Sequence, residues 1–525
     1  MSRSRFALSL RRALGMPAAA LLALLLGAAP ALAEARSATD VPQAPDGGAL
    51  PLFEESGCWF RLPRDRDMTC GWLVVPENRG EPDGRSIRLA VTIFEPERER
   101  YEPVVYLTGG PGQPAYIETL SDIETWWSFA DREPWLRGRR LIVFDQRGTG
   151  ISEPRLDCPG LYDPTTWSGV VPTPDYHPDI TASQQRGLEA CRDRLLATGI
   201  DLTAYNTRES AADVADLKRA LAIDRWVLFG ISYGTRLALT VLRDHAEGVV
   251  AAVLDSVLPL EVDYIGESAT TFEESLKRLF ADCRADDSCD SSFGDLQPLL
   301  TESVRRFDAA PLPLRLTEAT EAPRFLHFTG NDYLWLIFSA LYDWDRIERL
   351  PLLIHRTAAQ DYRYLAEQAR LSYLDSGDSE FAEGMQFSVG CHEEFPFYAV
   401  APLPRTLALL DGWVEGDFFL WACPLWPSGR APAAENEPVV SEVPVLLLSG
   451  DYDPVTPASW ARRALAGLPR GHHLVFRGIG HDVVDSTDCG GRAVADFLAN
   501  PARRPATPCV AEMEPPYFVL DERDW

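Results

Sequence analysis

The chain has 525 residues, with 78 acidic against 50 basic side chains and a net charge of −28. That negative surplus repels nucleic acid and anionic lipid, so neither is an expected partner. The length exceeds one typical domain and implies a core with a second lobe.

Arg3, Arg5, Arg11 and Arg12 precede an apolar run through Leu21–Leu26, and Ala31-Leu32-Ala33 follows. A basic start, an apolar middle and a small-x-small end are the layout of a cleavable signal peptide, assigned here to residues 1–33. A retained membrane anchor is the alternative, but Gly15, Pro17 and Pro30 interrupt the stretch and the Ala-x-Ala site fits cleavage. The expected location is secreted or periplasmic, with no stable membrane association after cleavage. Residues 34–50 are small, polar and Pro/Gly-bearing and read as a flexible lead-in.

Ten cysteines suit an oxidising compartment. They fall in sequence-local pairs, Cys58/Cys70, Cys158/Cys191, Cys283/Cys289, Cys391/Cys423 and Cys489/Cys509, and five disulfides with that pairing are expected among many possible connectivities. A metal site would call for closer pairs, and no Cys-x-x-Cys occurs. No metal or organic cofactor is implied.

Short apolar runs follow along the chain. Ile87–Phe94, Val104–Leu107, Leu141–Phe144, Trp226–Phe229, Val249–Leu254, Val443–Leu448 and His473–Phe476 read as strands, mostly without polar alternation. Such strands suit a parallel sheet buried on both faces. Helical spacing lies between them; Thr207 is a plausible N-cap for a helix carrying Ala211, Val214, Leu217 and Leu221. Strands alternating with helices predict an α/β fold with a doubly wound, mostly parallel sheet. From 266 to 440 the rhythm is helical with no clear strand series, which predicts an inserted helical lid, and the Pro-rich stretch 427–442 leads back to the sheet. The core is therefore 51–265 and 441–500, and 501–525 is a C-terminal tail tied by a disulfide. Tyr333, Trp335 and Trp344 fit a substrate pocket in the lid and ordinary core packing equally well.

Gly230-Ile231-Ser232-Tyr233-Gly234 joins a predicted strand to a predicted helix, the context of a nucleophile elbow. This points to a serine hydrolase of the α/β-hydrolase fold with Ser232 as nucleophile. A serine hydroxyl needs a base, and the base needs an orienting acid. In this fold the chain order is Ser, acid, His. Only His481 sits in a glycine-flanked loop after a late strand, and it is the expected base. Asp453 is the expected acid, chosen over Asp451 of the same loop because Pro454 fixes the turn after it, and Asp255 at the end of Val249–Leu254 is the rival. The oxyanion hole needs backbone N–H donors: Tyr233 offers one, and the loop at Gly109 and Gly110 the other.

Together Gly109-Gly110-Pro111-Gly112, Asp145-Gln146-Arg147-Gly148-Thr149-Gly150, the elbow, Asp453-Pro454-Val455-Thr456-Pro457 and Gly480-His481 resemble the prolyl iminopeptidase family of serine peptidases. The closer likeness is to its larger secreted branch, the tripeptidyl-aminopeptidase-like hydrolases. Thr108 stands where prolyl iminopeptidases usually carry His, a departure that fits the larger branch. The resemblance implies a serine aminopeptidase acting on peptides with a free N-terminus, releasing proline or a short di- or tripeptide through an acyl-enzyme. It also implies a lid carboxylate for the substrate ammonium, at Glu393 in Cys391-His392-Glu393-Glu394, with Glu394 beside it. Asp145 and Arg147 are expected to brace the loop beneath the site. The alternative is an esterase, or another small-acyl hydrolase, on the same triad. A catalytically dead binding module usually lacks a triad residue, and here all three positions are filled.

Overall fold

The computed structural model describes residues 50–521, apart from 62–65, 82, 160, 162–169, 172–179, 318–321, 374–380 and 400–405. The expected signal peptide and the lead-in up to residue 49 lie outside the described residues.

Nine strands form one sheet: β1 (Leu52–Ser56), β2 (Met68–Pro76), β3 (Ser86–Phe94), β4 (Val104–Leu107), β5 (Leu141–Phe144), β7 (Trp226–Ile231), β8 (Val249–Asp255), β11 (Val445–Gly450) and β12 (Gly471–Phe476). Their spatial order is β1-β2-β3-β5-β4-β7-β8-β11-β12. The pairs from β1 to β5 are antiparallel and those from β5 to β12 parallel. The sequence reading missed β1 and β2, and it began β11 two residues early. Pro444, which has no N–H to donate, immediately precedes the first paired residue.

Alternation along the strands divides the core into two layers. Val105, Leu107, Leu228 and Leu447 face Val214, Leu217, Leu237 and Val241 of the helices Thr207–Ala220 and Tyr233–Asp244. Val104, Tyr106, Phe229 and Leu448 face Trp126, Phe129, Val494 and Phe497 of the helices Leu120–Arg132 and Asp488–Ala499. Each such side chain contributes at most about 1.5–3 kcal/mol on burial. The helix after Asn206 corrects the cap: Asn206, not Thr207, is the N-cap, and its side chain accepts from the Glu209 N–H at 2.9 Å. Thr207 is the first helical residue, and its hydroxyl instead meets the Tyr233 hydroxyl at 2.9 Å.

Residues of 266–440 build a further apolar cluster, shared with Tyr452, Val455, Phe518 and Val519, in which Phe272, Leu276, Phe307, Phe328, Tyr333 and Phe338 are fully or nearly fully buried. The insertion also contains strands the sequence did not reveal, β9 (Leu312–Arg315) and β10 (Phe325–Phe328), which pair with each other and with β6 (Val170–Val171). Unlike the four-residue strands β4 and β5, they lack an unbroken apolar run: Pro313 and Arg315 interrupt β9 and His327 interrupts β10. Leu156, Leu188 and Leu195, from the segment before Asn206, pack with Met385, Phe387 and Trp426 of the insertion. Five disulfides join Cys58–Cys70, Cys158–Cys191, Cys283–Cys289, Cys391–Cys423 and Cys489–Cys509. The last ties the C-terminal tail to the helix Asp488–Ala499.

Candidate active site

Ser232 sits between β7 and the helix Tyr233–Asp244 with φ 54 and ψ −125. A non-glycine residue remains in that region only when its surroundings hold it there. The two elbow glycines make the turn sterically possible. A Cβ on Gly230 would lie 2.4 Å from the Gly234 carbonyl oxygen, and one on Gly234 would lie 2.0 Å from that of Leu107. The Ser232 N–H donates to the Asp255 carbonyl at 2.9 Å, tying the elbow to the end of β8.

The glycine loop after β4 lies directly against the elbow, where a Cβ on Gly109 would come 3.1 Å from Ser232 Cβ. Gly110 follows with φ 109. The loop is held from below: the Gln146 amide donates to both the carbonyl and the hydroxyl of Thr108 at 3.0 Å. Asp145 accepts the Ala115 and Ile151 N–H groups at 2.6 and 2.9 Å, and burial pushes its carboxyl up to about 7. Arg147, fully buried, makes a two-pronged contact with Asp213 at 2.7 Å and donates to the Glu77 and Ala204 carbonyls. Tyr233 is the first residue of its helix, so its N–H has no intrahelical partner.

Of the three candidate acids, the structure brings Asp453 to His481, with Oδ2 2.9 Å from Nδ1. The other Asp453 oxygen accepts the N–H groups of Val455 and Thr456 at 2.9 and 3.0 Å, and the Thr456 hydroxyl donates to Oδ2 at 2.7 Å. Burial alone would raise this carboxyl, but His481 and these donors outweigh it and hold it below the usual carboxylate range. Burial likewise works against a charged His481, yet the Asp453 charge and hydrogen bond, with Asp255 and Glu415, raise it above its ordinary value. Asp255 has a different employment. Its carboxylate accepts the Val483 and Val484 N–H groups at 3.0 and 2.8 Å, and neighbouring Ser256 Oγ accepts that of Asp482 at 2.9 Å. The end of β8 thus fastens the elbow on one side and the histidine loop on the other. Asp451 accepts from the Gly478 N–H at 2.8 Å and faces Arg278. Both ring hydrogen bonds of His481 are at Nδ1, which leaves Nε2 as the nitrogen for a serine proton. Among the described residues, Ser232 Oγ and His481 share no hydrogen bond in this structure.

The lid reaches this centre through Tyr342, whose carbonyl accepts the His481 N–H at 3.1 Å and whose ring lies 5.0 Å from the imidazole. Glu393 and Glu394 are buried below it, beside Arg236 of the helix that follows the nucleophile. Arg236 Nε lies 3.2 Å from Glu393 and Nη1 2.9 Å from Glu394. The second Glu393 oxygen accepts the Thr207 N–H. Burial pushes Glu394 up to about 7 despite Arg236. Tyr333 is enclosed by Phe307 and Phe328, and Trp335 packs on Phe338 and Trp413; the side chain of Trp344 lies outside the described ones. Reasoning from sequence did not find Thr456, Tyr342, Arg236 or the buried Glu415. Only Thr456 had a local signal, as the hydroxyl three residues after an Asp-Pro turn.

A mostly parallel sheet with Ser232 at a strand–helix elbow, and an Asp–His pair on the last two strand ends, makes this an α/β-hydrolase enzyme of the serine hydrolase class. Residues 416–509 match the family model of TAP-like proteins, a stretch that carries Asp453 and His481. The chain is similar to the tripeptidyl-aminopeptidase-like serine peptidases, as its motifs imply. Serine protease Hip1 of Mycobacterium tuberculosis is 26% identical over 464 residues, 82% of this chain and 84% of the relative. Tripeptidyl aminopeptidase of Streptomyces coelicolor is 27% identical over 217 residues, 39% and 38% of the two chains. Carboxylesterase B of Mycobacterium tuberculosis is 26% identical over 526 residues, 90% and 94% of the two. Among solved structures, proline iminopeptidase of Mycobacterium smegmatis aligns with a TM-score of 0.35 at 16% identity, covering 82% of this chain and 98% of that one.

Proposed function

We propose that the protein is a serine aminopeptidase that works outside the cytoplasm and cleaves peptides near a free N-terminus. Ser232 attacks the scissile carbonyl as His481 Nε2 takes its proton, and Asp453 holds the Nδ1–H and stabilises the imidazolium that forms. The N–H groups of Tyr233 and of the loop at Gly109 and Gly110 receive the developing oxyanion. His481 then protonates the leaving amine, and water hydrolyses the acyl-enzyme.

The observation that carries the aminopeptidase reading is the charge of the lid. Among the buried carboxylates of the lid, Glu393 and Glu394 share one buried guanidinium, Arg236 of the helix after Ser232, while Glu415 has no ion pair with a lysine or arginine among the described residues. An uncompensated carboxylate favours a ligand that brings its own positive charge, and a peptide's α-ammonium does so. The similarity to a tripeptidyl aminopeptidase supports the same substrate class. Five disulfides support an oxidising compartment. Among the described residues no helix is long and apolar enough to cross a membrane.

The test compares peptidyl naphthylamides with free and with acetylated N-termini. Preferential hydrolysis of the free form is expected, and equal rates would defeat the reading. The esterase alternative is favoured by the similarity to Carboxylesterase B; it predicts fast turnover of short acyl esters and no preference for a free amine.

A further inference from the structure

The C-terminal tail runs from the sheet to the lid. Cys509 is tied to Cys489 of the helix Asp488–Ala499, and Met513 is partly buried against the sheet layer that includes Ile479. From Met513 to Leu520 the chain is neither helix nor strand, and Pro515 and Pro516 fix its backbone, which makes it a stiff spacer. Its far end is anchored selectively. Tyr517 is 76% exposed, whereas Phe518 and Val519 are 2% and 7% exposed, inside the apolar cluster of the lid with Ile347 and Leu350. The stretch that matches the family model ends at residue 509, before this spacer begins.

Three contacts close a ring around the histidine loop. The tail lies against that loop, since a Cβ on Gly478 would come 3.3 Å from the Glu514 carbonyl oxygen and 3.4 Å from the Pro516 nitrogen. The loop lies against the lid: the His481 N–H donates to the Tyr342 carbonyl at 3.1 Å, and a Cβ on Gly480 would lie 2.2 Å from the Leu341 carbonyl oxygen. The lid in turn meets the tail, where the Val519 N–H donates to the Glu348 carbonyl at 3.0 Å. Lid residues 341–348 are thus held at one end by the histidine loop and at the other by the tail. Asp255 and Ser256 of the sheet fasten the N–H groups of residues 482–484, but the N–H of His481 itself is held by the lid.

We infer that residues 513–520 are a strap and Phe518 a positioning residue, which seats lid residues 341–348 on the histidine loop and so sets where the imidazole stands relative to Ser232. Proton transfer from a serine tolerates little displacement of its base, so a shift of the lid is felt as a loss of rate. The inference needs the serine-hydrolase chemistry alone, whichever acyl substrate the enzyme takes.

The experiment follows the rate of Ser232 labelling by a fluorophosphonate in the full chain, well below its melting temperature. Phe518→Ala lowers the rate constant roughly 10- to 100-fold, and Phe518→Leu restores most of it. Tyr342→Ala is also slow, and the double variant Phe518→Ala/Tyr342→Ala is no slower than the slower single one, because both act through one contact. Leu300→Ala, at an equally buried position of the same cluster on the helix Leu296–Ala309, lowers the melting temperature and leaves the rate unchanged. A folded Phe518→Ala enzyme with the wild-type rate overturns the inference, as do additive effects in the double variant or an equal slowing in Leu300→Ala. Where Phe518→Ala does not fold, Phe518→Val takes its place in the same comparison; if neither folds, the tail is scaffold and the inference fails. A wild-type enzyme that the probe does not label defeats the serine mechanism and this inference with it.

Discussion

At the scale of single residues, His481 is balanced between burial, which disfavours its charge, and Asp453 with Asp255 and Glu415, which together outweigh it. A base must be unprotonated to act. The acid limb of kcat/KM is therefore expected above the ordinary histidine value of about 6.5, with activity rising as pH rises through the elevated pKa. Asp453→Asn removes the largest cause of that elevation. Its pH–rate profile should shift its acid limb downward while kcat drops by about 10⁴-fold. Ser232→Ala should lower kcat by about 10⁶-fold with unchanged circular dichroism; a purified variant that keeps its activity would remove Ser232 from the mechanism. These positions were legible because Ser232, Asp453 and His481 each sit in a short motif at a strand end. Glu415 was not, since nothing near it in sequence distinguishes it from other acidic residues of the lid, and its character comes from burial without an ion pair to a lysine or arginine among the described residues.

Among the elements, β7, β8, β11 and β12 act as one device. Their carboxyl ends carry Ser232, Asp255, Asp453 and the His481 loop side by side, and Asp255 links the first to the last through backbone hydrogen bonds. The elbow depends on close backbone approach. Gly234→Ala would drive a Cβ into the Leu107 carbonyl at 2.0 Å, so we expect a loss of at least about 3 kcal/mol in urea unfolding together with lost activity. The lid is stapled by Cys391–Cys423, which spans 32 residues. Replacing both cysteines by serine should cost about 3–4 kcal/mol in a chain-entropy account, read as a lower unfolding midpoint. Periodicity revealed the long helices and the buried parallel strands. It did not reveal β6, β9 and β10, whose two to four residues are held by pairing with each other rather than by a pattern of their own.

For the whole molecule, the buried carboxyls set the pH dependence of stability. Burial raises Asp145, Glu394 and Glu415 to about 7 and Asp451 to about 6. The folded state therefore binds more protons than the unfolded chain between about pH 4.5 and 7, and stability falls as pH rises through that window. The raised His481 acts in the same direction, its contribution being lost above its folded pKa. His473, which burial lowers to about 4, opposes them. With a net charge of −28 adding self-repulsion at high pH, the melting temperature should be higher near pH 5.5 than at pH 8 by differential scanning fluorimetry. The sequence by itself determined the hydrolase core, the serine elbow, the disulfide pairs and the order of the site residues, because each depends on a local pattern: strand burial, glycine spacing or cysteine proximity. Only the tertiary structure decided which aspartate meets His481, that Arg236 absorbs Glu393 and Glu394, and that Glu415 stays uncompensated, because a charge is defined by its neighbours in space, and here those neighbours lie 28 to 158 residues away along the chain.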